Sequence, residues 1–256
     1  MTMWADLTLF LTILARMTGF VAMNPILGRT GIPGIFKSGM SLLLAVTAYG
    51  MTAERPGVPE TILGLAALLL LELAVGYFLG LVMNIFFYVA TLGGETIDMQ
   101  MGMSMGRTYD PSSQSSTTVT SRIFNTLMML TFFAGNGHHT LLRIILASGQ
   151  IVPFGSAAFG RELYWAVVEL FIDCTILAIK LCMPILAAEL LGQVGMGVLM
   201  KVIPQINVFA INIDLKVIIG LGLLYLLLNP ISEFLLGVEV GMLQSLQRLL
   251  PMMSGG

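Results

Sequence analysis

The sequence predicts an all-α membrane protein of about six long helices, some of them kinked or broken. Hydrophobic residues make up 57% of the 256 positions, mean hydropathy is +0.92, and apolar runs follow one another with only short polar breaks. That continuity points to one domain over residues 1–256. A net charge of −2 without any Lys/Arg run leaves no footprint for nucleic acid or for a polybasic lipid-binding surface.

The first run covers about residues 3–27. No basic segment precedes it, and Asp6 and Arg16 interrupt it, so it reads as a retained helix rather than a cleaved signal peptide. Gly31, Pro33 and Gly34 make the turn that follows. The second run, about 39–53, is short for a crossing that takes roughly 20 residues. Pro56, Gly57 and Pro59 then mark another turn, and the third run, about 62–92, exceeds one crossing. It carries Glu72, Gly76, Gly80 and Asn84 at steps of four. The two glycines let another helix approach closely, and Glu72 and Asn84 can hydrogen-bond beside them; the neighbour belongs to this chain or to another.

A polar, methionine-rich insertion at about 99–121 comes next. Met99, Met101, Met103 and Met105 alternate with Gln100, Gly102, Ser104 and Gly106, so an extended backbone places all four thioethers on one side. Methionine is flexible and polarisable, suiting a surface that closes on itself and yields to passengers of different shape; it also fills irregular packing. Asp110, Pro111 and a Ser/Thr run oppose helix, and Ser121 is placed to cap the helix that follows.

In the fourth run, about 123–148, His138 and His139 point about 100° apart on a helix and do not form an i, i+4 metal pair. The fifth, about 163–192, contains Pro184, expected to kink or interrupt it, and two cysteines, Cys174 and Cys182, that read as buried structural thiols. Its Glu169, Asp173 and Lys180 fall at about 0°, 40° and 20° around the helix axis, forming one stripe. Each ionised group at the centre of a span costs about 2.5 to 3.5 kcal/mol, so the stripe must face protein or water. Pairing of Lys180 with an acid inside the chain, contact with another subunit and an aqueous path all satisfy that demand. The sixth run, about 215–241, is expected to kink at Asn229 and Pro230. Arg29, Lys37, Arg107, Arg122 and Lys201 against Arg55, Arg161 and Arg248 favour an external N-terminus. No hydrolase, nucleotide, zinc or redox motif is present, so the sequence reads as a non-enzyme without cofactor or metal.

Several landmarks, read in order, resemble the FliR family of flagellar biosynthesis and type III secretion export-gate proteins. They are Ile32 and Pro33 with Lys37; Gly94, Glu95, Asp98, Gln100 and Gly102; Asp110 and Pro111; Asn136, Gly137 and His138; Pro153; and Pro204 to Phe209, which is similar to the family's PQxNxF signature. The resemblance implies a non-enzymatic, multi-pass subunit of the bacterial cytoplasmic (inner) membrane within the flagellar basal body. Its implied partners are FliP-type, FliQ-type and FlhB-type subunits, membrane lipid and the unfolded flagellar proteins that pass through. It implies helices packed into a multi-subunit helical assembly. A pore loop that helps hold the channel shut then maps to Met101, Met103, Met105, Gly106, Arg107, Tyr109, Asp110 and Pro111. Subunit or helix packing maps to Glu72, Gly76, Gly80, Glu169, Asp173, Lys180, Pro204, Gln205 and Asn207. The competing reading is a secondary transporter or proton-coupled channel built on Glu169, Asp173 and Lys180.

Overall fold

A computed structural model of the chain describes residues 2–29, 31–52, 59, 61–103, 108–110, 115–202 and 208–254. Its order is α1 (Thr2–Met23), α2 (Gly34–Met51), α3 (Ile62–Met101), β1 (Thr108–Asp110), β2 (Ser115–Thr117), α4 (Val119–Ala134), α5 (Gly137–Ile151), α6 (Arg161–Val202), α7 (Val208–Leu226) and α8 (Leu228–Leu249). A short 3-10 turn, Pro251–Met253, follows. Among the described residues four helices are long and apolar enough to cross a membrane: Met3–Met23, Gly34–Met51, Ile62–Met101 and Arg161–Val198. The fold is all-α apart from the β1–β2 hairpin.

Four features refine the sequence expectation. The third run continues through Gly93 and Gly94 to Met101, giving a helix of 40 residues, about 60 Å long and twice the thickness of a hydrocarbon core. The fourth run is two helices, because Asn136 turns left-handed at φ 57° and ψ 22°, a conformation asparagine tolerates better than most residues. The fifth passes through Pro184 without interruption over 42 residues, so of the kink or break expected there the break does not occur. The sixth breaks at Leu227 and bends by 64°. There Pro230 lacks the N–H that the Leu226 carbonyl needs, while Leu227 N–H bonds Leu223 O at 2.8 Å and Ile231 N–H bonds Leu227 O at 2.9 Å.

The described residues group into two compact units interleaved along the chain. The first comprises Met1–Phe86, Phe133–Ile172 and Glu239–Gly256, and the second Phe87–Phe132 and Asp173–Val238. In the first, α1 lies so close to α3 that a Cβ on Gly76 would collide with the Arg16 carbonyl and sit 2.8 Å from Phe20 N. Ile13, Met17, Phe20, Leu79, Met83 and Ile145 fill its core. The C-terminal turn is tied in by Ala158 N–H to Met253 O at 2.9 Å. In the second, Ile97, Met101, Phe124, Met128 and Ile185 are buried, and Gly93 gives Leu181 room to pack.

Candidate functional site

The insertion between α3 and α4 is rooted by polar contacts within the second unit. Asp98, fully buried on α3, receives the Thr120 N–H on Oδ2 at 2.8 Å and the Thr120 hydroxyl on Oδ1 at 2.5 Å. Its carboxylate therefore occupies the N-terminus of α4, where free backbone N–H groups and the helix dipole favour negative charge. Four and seven residues earlier on the same face, Gly94 and Thr91 continue the joint. A Cβ on Gly94 would overlap the Ser121 backbone; Ser121 donates to Thr91 O at 3.1 Å, and Asn125 Nδ2 donates to Thr91 Oγ1 at 2.9 Å. Ser121, expected as a cap, sits in the first turn and holds this joint, while its hydroxyl shares a 2.8 Å hydrogen bond with Thr118.

The chain leaves α3 at Gly102, whose φ of +79° lies in the region open to glycine. The insertion returns through an antiparallel hairpin that pairs Thr108 with Thr117, Tyr109 with Ser116 and Asp110 with Ser115. The extended alternation expected for the four methionines does not hold at its start: Met99 and Met101 belong to the last turn of α3, with Met99 64% exposed and Met101 fully buried. Helical phase separates side chains two residues apart by about 200°, which is why the thioethers diverge. Met103 lies just beyond the helix and is half-buried, and Tyr109 and Asp110 form part of β1. Met105, Gly106, Arg107 and Pro111 lie outside the described residues, as do Pro204, Gln205 and Asn207.

Glu72 and Arg16, far apart in sequence, meet in the core of the first unit. Arg16 is 1% exposed and donates from Nε to Glu72 Oε2 at 2.7 Å and from Nη1 to Val152 O at 3.0 Å. Phe154 covers its guanidinium at 4.3 Å from the ring centroid. The other carboxylate oxygen of Glu72 accepts the Gly155 N–H at 2.7 Å, so one ion pair fixes α1, α3 and the loop before α6. Gly76 and Gly80 admit α1, the latter opposite Met23 and Asn24, and Asn84 donates to the Met23 carbonyl. The neighbour of this stripe is thus another helix of the same chain.

The stripe on α6 has the opposite environment. Glu169, Asp173 and Lys180 are all exposed, beside the equally exposed apolar side chains of Trp165, Ile172, Ile176 and Met183. Glu169 reaches Arg248 at 3.9 Å, a pair whose members are 66% and 69% exposed. Lys180 and Asp173 have no hydrogen bond or ion pair among the described residues, so the internal pairing of Lys180 with an acid is not formed. Sequence reasoning missed Glu189 on the same helix, which is 1% exposed with Oε1 accepting no hydrogen bond among the described residues. Its position at +20 from Glu169 returns it to about 200° around the axis, away from the stripe, and that phase was the available signal.

His138 and His139 lie at the start of α5 with ring centroids 4.1 Å apart and planes tilted by 38°, and Cys174 and Cys182 are buried free thiols. No group of three or more His, Cys, Asp or Glu suited to a metal occurs among the described residues.

An all-helical scaffold with outward-facing charges and a fastened polar insertion has a counterpart among known proteins. The model of the bacterial export proteins, family 1, matches residues 7–239. The chain belongs to that family. This export protein is similar to the flagellar biosynthetic protein FliR of Bacillus subtilis, 26% identical over 244 residues that cover 94% of each chain. It is 25% identical over 230 residues to FliR of Escherichia coli, covering 89% of this chain and 87% of that one. The Yop proteins translocation protein T of Yersinia pestis is 24% identical over 207 residues, with 80% and 79% covered. The export protein is an all-α, multi-pass protein of the bacterial inner membrane.

Proposed function

We propose that the chain, as one FliR-like domain over residues 1–256, is a non-enzymatic subunit of the flagellar type III protein export gate. It helps form and close the channel through which unfolded flagellar proteins cross the cytoplasmic membrane. The observation that carries this reading is the insertion fastened at its root, where Asp98 and Thr91 on α3 meet Thr120, Ser121 and Asn125 on α4. A polar segment so anchored at the end of a membrane helix presents itself to a channel without disturbing the scaffold. Met103, Met105, Gly106, Arg107, Tyr109, Asp110 and Pro111 are the sealing positions, with Met101 acting from within the fold.

The partners are FliP-type, FliQ-type and FlhB-type subunits. Asp173 and Lys180 support that assignment, since charges exposed beside apolar side chains on a membrane helix need a protein or water environment. Glu169 belongs to the same docking edge, and Pro204, Gln205 and Asn207 complete the packing set. Deleting Arg107–Thr118 in the assembled complex raises leakage of small ions; unchanged conductance, with the complex verified intact, refutes the plug. Several copies of two smaller membrane proteins recovered with one copy of this chain in mild detergent establish the assembly.

A further inference from the structure

Met101 is the last side chain that α3 buries before the turn at Gly102, and it is held quite differently from Asp98 one turn earlier. It packs onto Gly220 of α7, where a Cβ would stand 2.7 Å from Met101 Cγ and 3.1 Å from Glu189 Oε1. Gly220 is thus a notch shaped for a thioether, and the buried oxygen of Glu189 borders it. That oxygen accepts no hydrogen bond among the described residues, and Lys216 lies one turn before Gly220 on α7. Asp98, by contrast, has both oxygens bonded to Thr120.

The two fastenings therefore differ in how they come apart. Releasing Asp98 strands a buried carboxylate and the N-terminus of α4 together, which is costly. Withdrawing Met101 loses only dispersion and apolar burial, and it opens a path for water to Glu189 Oε1. Methionine's three rotatable bonds make that withdrawal possible without moving the helix backbone far.

We propose that Met101, Gly220 and Glu189 form a releasable seat for the end of α3, a positioning device that couples a shift of α7 to the insertion that α3 carries. The seat rests on the export-gate reading. Glu189 Oε1 is buried without a hydrogen bond among the described residues, so the seat is poised rather than locked, and a modest bias from a neighbouring subunit on α7 suffices to switch it.

The decisive experiment is a Met101→Cys, Gly220→Cys double substitution in the assembled complex, oxidised in membranes, with the parent chain under the same oxidant as the control for Cys174 and Cys182. Verified cross-linking should lower export of an unfolded substrate at least about fivefold, and a thiol reductant should restore it. Undiminished export through the cross-linked chain overturns the seat. Independently, Glu189→Gln preserves the shape while replacing the carboxyl group by an amide; it should slow export with the complex recovered in normal yield, and faster export contradicts the proposal. Deleting Arg107–Thr118 separates the failures. If the deletion raises leakage while the cross-link changes nothing, the plug stands and the seat is wrong; if the deletion leaves leakage unchanged while the cross-link blocks export, the seat stands and the plug reading is wrong.

Discussion

The α1–α3 crossing and the outer face of α6 both place charged side chains within strongly apolar helices. At the crossing, Arg16 and Glu72 are almost completely buried and share hydrogen bonds with each other, with Val152 and with Gly155. On α6, Asp173 and Lys180 stand exposed with no ion pair among the described residues. The difference separates two uses of charge in one membrane chain. Charges at a helix crossing hold the fold, because a buried ion is tolerated only when its partners satisfy it. Charges on an outer face contribute little to the fold and, on the function proposed above, mark where a partner docks.

Removing one partner at the crossing is the severest way to break this contrast. Glu72→Ala should cost about 3 to 5 kcal/mol by leaving Arg16 buried and unpaired, read as a lowered denaturation midpoint in detergent. Adding Arg16→Met should restore much of the loss; a single variant as stable as the parent would abolish the distinction. Asp98→Ala comes next, at about 1 to 3 kcal/mol, because Thr120 loses the acceptor for its N–H and hydroxyl. Limited proteolysis should then cut more readily between residues 102 and 118.

Smaller stability effects belong to α6. Asp173→Asn and Lys180→Gln should alter the stability of the purified chain by no more than about 0.5 kcal/mol, yet reduce recovery of the neighbouring subunits in mild detergent. Loss of stability without loss of partners would reverse the assignment of this face. Arg248→Ala should matter least, below about 1 kcal/mol at ordinary salt, since its contact with Glu169 is long and solvated. Salt titration of the parent checks the same point, as an exposed pair is screened.

Much of the scaffold was legible in residue type and spacing. Gly76 and Gly80 announced a close helix approach, and Pro230 with Asn229 announced the bend that follows Leu226. Pro184 gave the same signal, yet α6 continues through it without a break, because a proline removes one hydrogen bond and packing decides whether the helix survives it. The methionine alternation misled at Met99 and Met101 because period-two spacing acquires meaning only once the backbone is known to be extended, and α3 runs further than its apolar run. At the candidate site, Asp98 and Gly94 were visible as landmarks, but their partners on α4 were not.

The order and apolarity of the runs determined an all-helical membrane chain with a polar interruption, since those properties follow from local composition and period. Tertiary structure alone decided that Glu72 pairs with Arg16, that Asp98 caps α4, and that Glu169, Asp173 and Lys180 face outward while Glu189 faces in. A side chain's charge is written in the sequence. Whether that charge meets a partner, a cavity or the surface depends on residues distant along the chain, which only folding brings together.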